Sequence, residues 1–282
     1  MTILVTGATG AIGRLVVEQL VDRQVPVRAL SRSPHKAALP AAVDVVAGDL
    51  ADPGSLTGPL FDQVSGVFVF PAETGVEALA ERAARAGADH LVVLSSLAAA
   101  GEHARDLRSP SYAHHRAVEE SVSASGIPAT VLRPGPFANN LLAWSHAIRS
   151  GDTVQGPYAK SAQAPIHEAD IAAVAVEALT TDTYRGATLH LTGPEALTRA
   201  EQLRTIGNAL GRTLTYQEIS PGEFRSAMSR FMPEPIITML LDHWSDTVDR
   251  PDTALNTVQD VTGRPARTLA QWAADHAADF GG

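Results

Sequence analysis

The opening stretch of the chain constrains its fold more than any other part. Ile3–Thr6 is a short apolar run that leads directly into Gly7-Ala8-Thr9-Gly10-Ala11-Ile12-Gly13. Apolar residues at helical spacing then run from Arg14 to Arg23. Glycine at the first position permits a tight turn, and at the second it lets the backbone approach a pyrophosphate. At the third it lets the helix lie close to the strand. A helix starting there offers unpaired N–H groups and a partial positive charge to an anion. A glycine triplet alone is a weak signal, but at the first strand–helix turn of a chain it reads as a dinucleotide-binding unit.

The rest of the first two-thirds has the matching rhythm. Val25–Leu30, Val43–Ala47, Val67–Phe70, His90–Leu94 and Ala129–Leu132 are short apolar runs bounded by glycine, proline or polar residues. Such runs suit parallel strands buried on both faces. Gly75–Ala86 and His114–Ala124 carry helical periodicity between them. The expected class is therefore α/β, a Rossmann-type doubly wound parallel sheet, with its ligand crevice at the strand carboxyl ends. At roughly 150 residues per domain, 282 residues suit two domains or one large α/β unit.

The pattern changes near residue 150. Residues 1–150 read as the dinucleotide-binding domain. Residues 151–282 read as a mixed region that adds late strands such as Thr188–Leu191 and a small helical, substrate-binding subdomain over about 198–250. Within it, 221–247 concentrates bulky apolar residues around Pro233 and Pro235. Met228, Phe231, Met232 and Trp244 are its candidate substrate contacts, with plain core as the competing reading.

Composition narrows the function classes. The chain has no cysteine, which excludes disulfides, a thiolate nucleophile and cysteine-ligated metal, and no metal is expected. With 22 basic and 31 acidic residues the net charge is −9, which lacks the basic footprint of a nucleic-acid binder. No signal peptide and no run of the ~20 apolar residues that cross a bilayer is evident, so a cytoplasmic protein without membrane partners is expected. Lys36 and Lys160 are the only lysines, and this arginine- and alanine-rich usage suggests a GC-rich bacterial source. The expected partner is a small-molecule substrate, and the expected state a monomer or homodimer.

The end of the second strand bears on the cofactor. An NAD enzyme places Asp or Glu there for the ribose 2′-hydroxyl. Here the chain reads Ser31-Arg32-Ser33-Pro34-His35-Lys36, with no acid. Arg32 and Lys36, with Ser31, suit a 2′-phosphate, which favours NADPH (NADP+) over NADH.

Further motifs resemble the NmrA-like branch of the atypical short-chain dehydrogenases/reductases. These are TGATGAIG at the start, Gly48-Asp49-Leu50, Leu94-Ser95-Ser96, HRAVE from His115, SGIPATVLRPGPFANN from Ser125, HEADIAAVA from His167, LTGPEALT from Leu191 and TGRPARTLAQW from Thr262. The resemblance covers nearly the whole chain. It implies that Gly7, Thr9, Gly10, Ala11, Ile12 and Gly13 hold the pyrophosphate and that Asp49 and Leu50 lie near the adenine. It also implies Phe70 and Pro71 along the dinucleotide, Pro134 and Phe137 beside the nicotinamide, and Asn140, Trp144 and Tyr158 near the substrate. Asp49 also reads as a turn cap, and Asp170 as a cap for a helix beginning at Ile171.

Members of that family with reductase chemistry use Ser, Tyr and Lys, the last two four residues apart. Ser96 falls where the serine would, and Tyr112 and Arg116 have the spacing, with arginine in place of lysine. Arginine polarises a tyrosine but cannot release a proton. His115 (or His114) is a rival donor, and a site without a protein donor also stays open. The resulting expectation is an NAD(P)H-dependent oxidoreductase of ketoreductase or quinone reductase type. It would transfer hydride to a carbonyl of a bulky, aromatic substrate. A non-catalytic NAD(P)-sensing regulator is the alternative, and a nucleotide-sugar epimerase is a weaker third.

Overall fold

The computed structural model describes residues 2–281. The chain opens with β1 (Thr2–Val5), α1 (Ala11–Asp22), β2 (Val27–Ser31), β3 (Asp44–Ala47), β4 (Val64–Val69) and α2 (Val76–Arg85). It continues through β5 (His90–Leu94), α3 (Ala104–Leu107), α4 (Pro110–Ala124), β6 (Ala129–Pro134), α5 (Ser145–Ser150), β7 (Thr153–Gly156) and β8 (Ala162–Gln163). Next come α6 (Glu168–Thr180), β9 (Thr188–Leu191), β10 (Leu197–Thr198), α7 (Arg199–Ala209) and β11 (Thr215–Glu218). The last elements are α8 (Pro221–Met228), α9 (Glu234–Asp249), α10 (Thr257–Thr262) and α11 (Leu269–Asp275). No helix among the described residues is long and apolar enough to cross a membrane.

Two units emerge, each discontinuous in sequence, whereas the sequence reading divided the chain once at residue 150. The first comprises residues 1–100, 113–134 and 168–190, and the second residues 101–112, 135–167 and 191–282. The first unit is organised on a sheet of order β3-β2-β1-β4-β5-β6-β9, with the pairings from β3 through to β6 all parallel. The strand order reverses between β1 and β4, the switch point of a doubly wound Rossmann-type sheet. Ile3, Leu4, Val5, Val67, Phe68, Val69, Leu91, Val92 and Val93 are all fully buried, so the strands are continuous apolar runs and not alternating ones. On this sheet α1 packs against α6, and Gln19 Nε2 donates to the Ala169 carbonyl at 3.3 Å. Helix α6 begins at Glu168, so Asp170 lies inside its first turn and not at the expected cap before Ile171. Acidic side chains in that turn suit the positive end of the helix dipole.

The second unit is mostly helical around its own core, which includes Trp272, Phe280, Ile148, Leu203, Ile206 and Leu269. It also holds two small sheets, the parallel pair β7–β11 and the antiparallel pair β8–β10. Three of its helices begin with reciprocal caps in which a Ser or Thr and a Glu or Gln three residues on satisfy each other's N–H groups. The pairs are Thr198 with Glu201, Ser220 with Glu223, and Thr268 with Gln271. Pro233 caps α9 and separates it from α8, so the proline break expected in 221–247 appears as two helices.

A buried ionic cluster fastens α4 to the sheet of the first unit. Glu119 accepts from Ser95 Oγ at 2.5 Å, from Arg133 Nε at 2.9 Å and Nη2 at 2.7 Å, and from Arg116 Nη1 at 3.1 Å. Burial alone would raise the Glu119 pKa. The hydrogen bonds from Arg133 and Ser95, with the charges of Arg133 and Arg116, more than compensate and hold it below the usual value. Breaking a buried pair by removing one partner costs about 3–5 kcal/mol. Glu119→Ala should therefore lose that much in denaturant unfolding. A carboxylate with a depressed folded-state pKa stabilises the fold above its unfolded value of about 4.3 and loses that contribution as pH falls through the folded one. The stability gap between wild type and Glu119→Gln should consequently close in acid, and a gap independent of pH would contradict the ionic account.

Candidate functional site

The site is built first from the turn between β1 and α1. Gly7 has φ of 62°, a left-handed conformation, and a Cβ there would lie 2.8 Å from Phe70 Cβ. A Cβ on Gly13 would stand 2.2 Å from the Gly7 carbonyl oxygen, so α1 approaches the turn only because Gly13 has no side chain. Gly10 is the N-cap of α1, and no side chain caps the helix. Thr9, Gly10 and Ala11 are exposed, while Ile12 and Gly13 are buried. The result is a helix terminus with its positive end open and a backbone cradle that any Cβ would fill. Phe70, whose N–H donates to Thr6 Oγ1 at 2.7 Å, is 42% exposed beside Gly7.

Parallel pairing brings the carboxyl ends of β3, β2, β1, β4 and β5 to one edge of the sheet, and the expected cofactor residues follow those ends. After β2, Ser31 Oγ accepts the Ser33 N–H at 3.2 Å. Arg32 and Lys36 are exposed and pair with no acid among the described residues. Arg14 is occupied, donating to the carbonyls of Ala37 at 3.0 Å and Ala38 at 2.7 Å. After β3, Asp49 Oδ1 accepts the Ala51 N–H at 3.0 Å, so Asp49 does cap a local turn, with half-buried Leu50 following it. After β4, the Pro71 carbonyl lies 3.0 Å from His114 Nε2. An open helix terminus, a glycine cradle and two unpaired cations at an acid-free strand end together fit a dinucleotide with a 2′-phosphate.

The candidate catalytic residues are differently circumstanced. Ser96 follows β5 and is half-buried, with its Oγ accepting the Ala98 N–H at 3.3 Å. Tyr112 lies against Gly101, and its hydroxyl has no hydrogen-bond partner among the described residues. Arg116 is committed to Glu119 at 3.1 Å and Glu120 at 3.4 Å, which offsets its positive charge. His115 has its Nδ1 buried without a partner, and burial, with the neighbouring His114, lowers its pKa to about 4. It is neutral at physiological pH. Pro134 is the last residue of β6, and Phe137 forms a single parallel bridge with Ile166 in the second unit.

Several of the expected substrate residues meet in the second unit. Trp144 and Trp244 both lie against the guanidinium of Arg199, whose Cζ stands 5.4 Å and 3.8 Å from their rings. Phe224 meets Trp244 edge-on at 5.3 Å. Tyr158 has φ of 54°, a conformation uncommon for a residue with a side chain. Asn140 is exposed, and Met228 and Met232 are half-buried. Phe231 is 76% exposed, which rules out the plain-core reading for that residue. Sequence reasoning missed Arg199 and Tyr216. The one available signal was an arginine in the first turn of a helix, where a positive charge opposes the dipole.

A family model described as the NmrA-like family matches residues 1–253. The (4-alkanoyl-5-oxo-2,5-dihydrofuran-3-yl)methyl phosphate reductase of Streptomyces griseus is 38% identical, over 99% of each chain. The NAD(P)H azoreductase of Xenophilus azovorans is 36% identical, again over 99% of each. The crystal structure of an NADPH-dependent quinone oxidoreductase from Escherichia coli, complexed with NADPH, superposes with a TM-score of 0.83 at 26% identity. It covers 97% of this chain and 99% of that one. The open, cation-flanked glycine turn on a doubly wound sheet thus coincides with a full-length kinship, and the chain belongs to the NmrA-like family.

Proposed function

We propose that this chain reduces a polarised, conjugated carbonyl of a bulky small molecule. It is an NAD(P)H-dependent oxidoreductase with NADPH as its cofactor, in keeping with relatives named as reductases of a furanone phosphate, of azo compounds and of quinones. The observation that carries the reading is the uncapped α1 terminus flanked by Arg32 and Lys36. Backbone N–H groups at Ala11–Gly13 bind the pyrophosphate, since that of Gly10 is donated to the Gly7 carbonyl at 2.9 Å, and the two cations bind the 2′-phosphate. NADPH, when bound, supplies the hydride.

The proton for the developing alkoxide comes from Tyr112 in this reading. Its hydroxyl is uncommitted, whereas His115 is held neutral and lacks the acidic proton of an imidazolium. Arg116, engaged by two carboxylates, does not replace the missing lysine. Ser96 holds the carbonyl oxygen by a hydrogen bond.

Removing a charge-assisted hydrogen bond costs about 1.5–3 kcal/mol, so Arg32→Ala should weaken NADPH about tenfold or more while leaving NADH affinity nearly unchanged. Titration of both cofactors checks this, and equal wild-type affinities would refute it. General acid catalysis is worth about 10²–10⁴-fold, so Tyr112→Phe should lower kcat into that range and His115→Ala should not. The wild-type pH–rate profile should accordingly show no histidine inflection near its ordinary value of about 6.5. An inflection there that disappears in His115→Ala would transfer the role to the histidine.

A further inference from the structure

Arg199 is 5% exposed at the first position of α7, where a positive charge opposes the helix dipole. Burying a charge is costly unless a counter-charge or full hydrogen bonding compensates. Its Nε donates to Tyr216 Oη at 2.8 Å, and that hydroxyl donates to the Pro157 carbonyl at 3.0 Å. Trp244, Trp144 and Tyr216 offer ring faces at 3.8, 5.4 and 5.7 Å from its Cζ. These contacts orient the guanidinium without neutralising it.

No carboxylate pairs with Arg199 among the described residues, and the N–H groups on its Nη1 and Nη2 have no acceptor there. Other arginines of this unit are spent on acids: Arg105 on Asp246, Arg212 on Asp152, Arg225 on Glu234. Arg199 is not sealed off, since 5% of its surface stays exposed. The molecule thus holds a preoriented cation with a free two-pronged donor edge and indole walls.

We propose that Arg199 is a specificity residue that binds an oxyanion on the substrate, a phosphomonoester or a carboxylate. Nη1 and Nη2 pair with it bidentately, and Trp144 and Trp244 cover the adjoining apolar part. Tyr216 acts through Arg199 as a positioning residue. This rests on the reductase reading and names the substrate class within it: an amphiphilic carbonyl compound with one anionic arm.

The test uses the full chain saturated with NADPH, so that the cofactor's own phosphate sites are filled. Three versions of one conjugated ketone are compared, carrying a methylene phosphate, a methylene carboxylate or a free hydroxymethyl group. At least one anionic version should have a KM about tenfold or more below that of the alcohol, and the better anion identifies the source. Arg199→Gln should abolish that preference with NADPH affinity within about twofold of wild type, and Arg199→Lys should restore part of it. Equal wild-type KM values for all three would overturn the inference, even if Arg199→Gln does not fold, and so would an equal loss on all three in a folded variant. Binding of the unreactive phosphate in which the ketone is replaced by a methylene group, to the NADPH complex, separates this inference from the reading beneath it. Arg199-dependent binding without turnover of any version upholds the anion site and refutes the reductase. Turnover without any anion preference does the reverse.

Discussion

The closeness of Gly13 to Gly7 is the constraint on which the first unit depends. A Cβ at position 13 would lie 2.2 Å from the Gly7 carbonyl oxygen, so α1 reaches its place only because that atom is missing. With α1 set so close, its buried residues Val16, Val17 and Leu20 complete the helix layer on the sheet. The start of α1 carries no side-chain cap. Close packing and an uncapped helix terminus therefore belong to one piece of backbone geometry, and in the proposed role a residue that capped α1 from within would compete with the phosphate.

The disposition of positive charge tells fasteners from receptors. Arg133 and Arg116 converge on Glu119, whose carboxylate they hold ionised inside the first unit. Arg28 pairs with Asp44 and Arg23 with Glu177 on its periphery. Against this background Arg32, Lys36 and Arg199 stand without acidic partners. The first two are exposed, where a lone cation costs little; Arg199 is buried, where it costs much more. A cation kept unpaired at such a cost is most simply read as waiting for a ligand's charge.

Much of the first unit was legible because its strands are buried on both faces and so appear as unbroken apolar runs. His90–Leu94, buried at every position, matches the observed strand residue for residue. The glycine turn was legible for the same local reason. The β8–β10 sheet of the second unit was not, since its strands are two residues each and carry no alternation to detect. Helix α6 was expected at Ile171 because Asp170 resembles a cap, yet buried Glu168 already belongs to its first turn. Arg199 escaped notice because arginine reads by default as solvated. Its partners Trp144, Tyr216 and Trp244 are distant in sequence and meet only after folding. The commitment of Arg116 to Glu119 was likewise invisible, although both lie in the motif that suggested a catalytic role.

The central claim is that the chain transfers hydride from NADPH and does not merely sense it. A single-turnover reaction with NADPH deuterated at the transferring C4 position tests this most directly, with one equivalent of cofactor and a conjugated carbonyl acceptor. The account predicts deuterium on the reduced carbon of the product and a slower rate than with unlabelled cofactor. Tight NADPH binding with no oxidation of the cofactor by carbonyl, quinone or azo acceptors, and no deuterium on carbon in any carbonyl product, would contradict it and leave a dinucleotide sensor in its place.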